Sequence, residues 1–206
     1  MDMDTRTFTE DLIRYLETIG YIKPEDLPNI DLYMDQVTTF MDEELEACKR
    51  HESDKILTKT MINNYAKNDL LPPPNKKKYS KEHVLMLIFI YYLKNILSIN
   101  DIQSVLNPIN DKYFGKEEGF NVEDIYREIF RISEEDSKKV TKDLVKKYQV
   151  AMDTFADFPQ EDRELLHSFS FICMLSHDVY IKKMLIERSI DHLNEILQKE
   201  KEKADN

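Results

Sequence analysis

The sequence predicts an all-α protein on three observations. Only three glycines and seven prolines interrupt 206 residues. Apolar residues recur at spacings of three and four, and strict alternation over five or more residues is hard to find. Few breakers and a helical period favour helices joined by short loops.

The elements follow in order. Thr7-Phe8-Thr9-Glu10 has capping-box spacing and Gly20 offers a left-handed stop, which places a first helix at about 8–19 with Leu12, Ile13, Leu16 and Ile19 inward. After a turn from Pro24 to Pro28, Val37, Phe40, Met41 and Leu45 mark a second helix at about 31–48. Thr58 caps a third running to about 68, which Pro72-Pro73-Pro74 cannot continue. Ser80 caps a helix through Leu97 that is apolar nearly all round and so belongs at the centre of the core. Asn100 caps a short helix, Asp101 to Leu106, which Pro108 ends, and residues 109–120 form a connector. Asn121 and Ser133 cap two more helices, the second with Val140, Leu144, Tyr148, Ala151 and Phe155 on one side. Asp157-Phe158-Pro159 breaks the chain, and helices at about 160–176 and 178–202 close it. The expected organisation is an N-terminal helix (1–30), a central region (31–108) and a C-terminal helical region (121–206).

Composition narrows the function. Two cysteines make no disulfide framework, and no charged segment followed by an apolar stretch opens the chain, so a reducing, cytoplasmic setting is expected. The longest apolar run, Val84 to Leu93, falls well short of the roughly 20 residues that cross a bilayer, and no membrane partner is expected. No Gly-rich phosphate loop, nucleophile elbow or His-Glu-x-x-His motif is present, and the acids Glu134-Glu135-Asp136 suit a helix's first turn. Cys173 with His177, and Cys48 with His51, have ligand spacing but nothing to complete a site; Cys173 reads as core among Phe169, Ile172 and Met174, and His83 as a helix-start residue. Neither catalysis, a metal nor a cofactor is expected.

The net charge is −11, which by itself argues against a nucleic-acid partner. Its distribution argues the other way. Residues 55–81 hold seven lysines against the single acid Asp69, leaving −17 on the remainder. Within that island, residues 59–68 on a helix separate two faces. Met61, Ile62 and Tyr65 cluster on one; Thr60, Asn63, Asn64 and Lys67 fall on the other, with no carboxylate among them. Asn pairs bidentately with adenine, Thr meets a base or a thymine methyl, and Lys neutralises phosphate. The three prolines then force an extended excursion tipped by Asn75-Lys76-Lys77-Lys78-Tyr79, a short basic wing beside the helix.

The order Thr58-x-Thr60-Met-Ile-Asn-Asn-Tyr65, then Leu70-Leu71-Pro-Pro-Pro, then Lys76-Lys-Lys-Tyr79-Ser80, an apolar helix and Ser98-Ile-Asn-Asp-Ile-Gln-Ser-Val-Leu106 resembles an uncharacterised bacterial family known only as a domain of unknown function. More distantly it is similar to the MerR-type winged helix-turn-helix over about residues 31–107. The likeness implies a MerR-like winged helix followed by a C-terminal helical bundle, and a transcriptional regulator that binds double-stranded DNA. Thr58 matches the cap, Tyr65 the helix aromatic, Leu70-Leu71 the exit, Lys76 to Tyr79 the wing, and Ser98 to Leu106 the last helix. The DNA-binding residues implied are Lys59, Thr60, Asn63, Asn64, Lys67, Lys76, Lys77, Lys78 and Tyr79. The chain departs from the pattern at Asp69, where such proteins favour Gly, in its long link from Cys48 to Leu57, and in a wing without arginine.

A second reading is a helical protein-interaction module that keeps this scaffold without binding DNA. Two further expectations stay open. Val179, Ile186 and Leu193 recur every seven residues with Ile190 and Leu197 between, interrupted by Lys183: internal packing, or a homodimer seam. Tyr148, Phe155, Phe169 and Phe171 form either core or the lining of an effector pocket.

Overall fold

The computed structural model describes residues 3–204 and is mainly helical. Among these residues are α1 (Met3–Thr18), β1 (Leu32–Tyr33), α2 (Met34–Glu44), α3 (Lys59–Lys67), β2 (Lys78–Tyr79), α4 (Lys81–Lys94), α5 (Ile99–Tyr113), α6 (Val122–Met152) and α7 (Gln160–Ala204). Two compact units divide the chain: one gathers α1 with residues 133–186, the other residues 21–132 with the end of α7 from Glu187. These limits differ from the three consecutive segments expected, because the long helices α6 and α7 each contribute to both units.

The second unit is built round α4. His83 to Tyr91 are buried without interruption, so the all-round apolar character read from the sequence does mark the central helix. Val37, Met41 and Leu45 from α2 and its end, Ile62 and Tyr65 from α3, Ile102 and Leu106 from α5, and Val122 and Tyr126 from α6 are buried with it. Tyr126 packs edge-on against Tyr21 and Phe89, and its hydroxyl donates to the Ile22 carbonyl at 2.5 Å. The two strands, too short to show a period of two, pair antiparallel with Leu32 opposite Tyr79 and Tyr33 opposite Lys78.

In the first unit Tyr148, Ala151 and Phe171 form a small core, with Leu12, Leu144, Met152, Met174 and Leu175 packed on it. Phe8 tilts against Tyr148 at 5.5 Å, and Tyr148 meets Phe171 edge-on at 5.2 Å. Lys147 bridges to Asp143 and Asp178. Of the four aromatic residues that could form either core or a pocket, Tyr148 and Phe171 form core, whereas Phe155 packs on Phe158 and Phe169 is exposed. Cys173 is exposed too, contrary to the core position expected, because the helix turns Phe171 inward instead.

Several boundaries move. The side chains of Thr7 and Thr9 lie outside the described residues, but α1 already runs from Met3, so residue 7 is no cap; Gly20 follows its end without adopting a left-handed φ. The second helix is shorter than expected, ending at Glu44 with a 3₁₀ turn at Glu46–Cys48. The short helix expected at 101–106 is α5, capped by Ser98 and running through Pro108 to Tyr113. Ser133 sits inside α6, where its carbonyl accepts from the Ser137 hydroxyl, and no break separates 176 from 178 within α7.

Candidate nucleic-acid interface

α3 forms where the sequence places it. Thr58 is extended (φ −101°, ψ 156°) and its hydroxyl oxygen accepts from the Met61 amide at 3.2 Å, satisfying one of the first-turn donors. Ile62 and Tyr65 are buried, whereas Thr60, Asn63, Asn64 and Lys67 are all exposed. Met61, expected on the inner face, is 37% exposed, since a helix of nine residues buries only a narrow stripe here. The polar face is therefore uncovered by the chain's own packing.

The helix ends at Asn68, and Asp69 takes the left-handed position (φ 54°) that its short polar side chain tolerates. The amides of Leu70 and Leu71 then return to the Tyr65 carbonyl, burying both leucines. Helix α5 holds this exit: Gln103 donates to the Asn68 carbonyl and Asn110 to that of Leu70. The long link before α3 is also tied down. Lys94 donates to the Ile56 carbonyl at 2.7 Å, Lys49 pairs with Asp42 at 2.8 Å, and the Asp54 carboxylate accepts from the Arg50 and His51 amides. Burial pushes the Lys94 ammonium below its ordinary range.

The wing is a tight turn. Asn75 and Lys78 bridge, with the Lys78 amide donating to the Asn75 carbonyl at 2.9 Å, and both intervening residues are left-handed: Lys76 at φ 48° and Lys77 at φ 65°. Positive φ at both central residues is the signature of a turn that prefers Asn-Gly. Lys76 and Lys77 are exposed at its tip. Lys78 lies 5.4 Å over the Tyr33 ring, a cation–π contact. Tyr79, expected among the contact residues, is only 3% exposed: it is an anchor of the wing and not part of its surface. Lys59 is ion-paired with Asp35 in the first turn of α2. Sequence reasoning missed Tyr33, which is 54% exposed beside Lys78, and Asp35 beside Lys59; a two-residue strand carries no readable period.

His83 joins the wing to the core. The Ser80 amide can only donate, so His83 Nδ1, at 3.0 Å, accepts, and Nε2–H faces the Pro73 carbonyl at 3.4 Å. The ring stands edge-on to Tyr79 and Phe114. Burial lowers its pKa, opposed by the Pro73 carbonyl and Asp31. A lowered folded-state value means that stability is fully present above the unfolded value of about 6.5 and is lost as pH falls through it. Melting temperatures measured between pH 7.5 and 5 are expected to fall more steeply in wild type than in His83→Gln, which cannot take the proton.

Among the described residues, no three His, Cys, Asp or Glu side chains gather into a metal-binding group, and no helix is long and apolar enough to cross a membrane. Comparison with curated proteins and with solved structures gives no match. The model of one family, a domain of unknown function (DUF1836), matches residues 22–129. That span is nearly the whole continuous part of the second unit, from Ile22, whose carbonyl holds the Tyr126 hydroxyl, to the first turns of α6. It also covers more than half of the chain, and the protein accordingly belongs to the DUF1836 family.

Proposed function

We propose that the protein is a DNA-binding transcriptional regulator with a MerR-like winged helix, in which α3 enters the major groove and the wing tip meets the adjoining backbone. Thr60, Asn63, Asn64 and Lys67 face base edges, and Lys76 to Lys78 hold phosphates. Lys59 reaches a phosphate by exchanging its exposed pair with Asp35, a contact worth at most about 1 kcal/mol.

The observation that carries this reading is the backbone of the wing. Lys76 and Lys77 occupy two successive left-handed positions, each costing a residue other than glycine on the order of 1 kcal/mol. Asn-Gly would relax the turn at no loss to the fold. Strained cations at an exposed tip, beside an uncovered face of amides and hydroxyls, suit a surface whose charge is used.

The test follows from the same feature. The double variant Lys76→Asn/Lys77→Gly is expected to be more stable by about 1–2 kcal/mol, with a melting point several degrees higher. It is also expected to bind duplex DNA more weakly, with the slope of log K against log salt reduced by roughly 1.8. Unchanged affinity and slope in a more stable variant, or no duplex binding by wild type at low salt, would remove the DNA reading.

One observation favours the second reading, a helical protein-interaction module: the Lys59–Asp35 pair shows a lysine of the island satisfied by an acid. On that reading the double variant loses a protein partner and no affinity for DNA.

A further inference from the structure

The open side of α3 is selective about the bases it can address. At about 100° per residue, Asn63, Lys67, Thr60 and Asn64 span about 100° of the helix circumference, and Met61 lies about 60° beyond Asn64. All five are exposed, Met61 by 37%. Asn68, just past the helix, spends its side-chain amide on the Asn64 carbonyl at 2.8 Å. The carboxamides of Asn63 and Asn64, by contrast, enter no hydrogen bond among the described residues, so each keeps donor and acceptor for a ligand.

That inventory fits one kind of base pair. A carboxamide sets one donor beside one acceptor, which matches adenine, whose N6 donates and N7 accepts; guanine presents two acceptors, N7 and O6, and turns one of them against the carboxamide oxygen. Guanine is read by a group with two donors, and neither α3 nor the wing contains an arginine. On this face Lys67 can serve, but it is the last residue of the helix, which confines a guanine to the edge of the site. Cytosine offers a donor to a carboxylate, and the two acids at hand lie off the face: Asp35 is paired with Lys59, and Asp69 sits in the left-handed turn beyond the helix. Thymine offers a methyl group, which the Thr60 methyl and the exposed Met61 thioether can meet.

We propose that α3 selects a block of A·T pairs, with Asn63 and Asn64 each taking N6 and N7 of a different adenine and Thr60 and Met61 packing on thymine methyl groups. This rests on the reading of α3 as the helix that enters the major groove, and adds the class of base it selects. Each carboxamide–adenine pair discriminates by about 10- to 100-fold against another base.

The experiment is selection from random duplexes with the full chain, followed by fluorescence anisotropy on the selected duplex. Its core is expected to consist of consecutive A·T pairs. Replacing the adenines there by 7-deazaadenine, which pairs normally and lacks only the N7 acceptor, weakens binding at least about 10-fold. Replacing the thymines by uracil, which lacks only the methyl group, costs about 4-fold for each methyl contacted. Asn63→Ala/Asn64→Ala, at exposed positions, stays folded and becomes indifferent to 7-deazaadenine, and Met61→Ala loses part of its sensitivity to uracil. A selected core of G·C pairs overturns the proposal and leaves duplex binding standing. So does an A·T core whose affinity survives 7-deazaadenine, the result expected of readout through groove shape alone. No duplex binding by wild type at low salt removes the groove reading, and this inference with it.

Discussion

Reversing the wing, Lys76→Glu/Lys77→Glu/Lys78→Glu, is expected to abolish measurable duplex binding at physiological salt while leaving the fold intact. The arithmetic rests on counterion release. Each phosphate neutralised contributes about 0.9 to the salt slope, so three lost contacts flatten it by roughly 2.7. Those contacts account for about a 40-fold change in affinity between 50 and 200 mM salt, before three new carboxylates add repulsion. Lys76 and Lys77 are exposed, and Lys78 keeps its main-chain bond to Asn75 whatever its side chain, so the substitutions remove charge and little packing. Fluorescence anisotropy across a salt series, with the melting point measured in parallel, checks both halves. Equal affinities for wild type and variant at low salt would exclude the wing from any duplex interface.

The second large effect concerns stability. Tyr126 is fully buried, stands edge-on to Tyr21 and Phe89, and donates to the Ile22 carbonyl. Burial raises its pKa far above the ordinary phenol value, so the hydroxyl stays a donor throughout the working range. Tyr126→Phe keeps the ring and orphans one carbonyl, a cost of about 1–2 kcal/mol. Tyr126→Ala opens a cavity among aromatic rings and costs about 3–5 kcal/mol, which for a chain of this size lowers the melting point by roughly 6–20 °C. Thermal denaturation of both variants checks the order. Equal losses would mean that the hydroxyl, and not the ring, carries the contact.

How much of this was legible in the sequence depends on how local the cause is. The Thr58 cap, the proline stop, the Ser80 start and the apolar circumference of α4 act within one or two turns, and each lies where its residues placed it. Asp69, a departure from a pattern that favours glycine, nevertheless takes the left-handed turn, which its residue type tolerates. Ser133 and Pro108 misled because the residue types that start and stop helices also occur inside them. A serine interior to a helix needs no capping role, and α5 passes through Pro108 while Asn110, just beyond, is held by the Leu70 carbonyl. On α7 the sequence offered two apolar faces, and spacing alone could not say that Phe171 rather than Phe169 and Cys173 would turn inward. For the candidate interface, the uncovered polar strip on α3 was readable from its period. Tyr33 and Asp35 were not, because a strand pairing across more than forty residues brings them there.

The burial of α4 on every side also has a consequence for synthesis. His83 to Tyr91 emerge from the ribosome before α5, and well before Val122 and Tyr126, emerge in their turn. At 5–20 residues per second, the 35 residues separating Tyr91 from Tyr126 take roughly two to seven seconds. For that interval the nascent chain displays a nine-residue stretch that its earlier neighbours on α2 and α3 can cover only in part, those on α5 and α6 being still to emerge. A helix buried on all sides thus lengthens the time for which apolar surface stays open during synthesis.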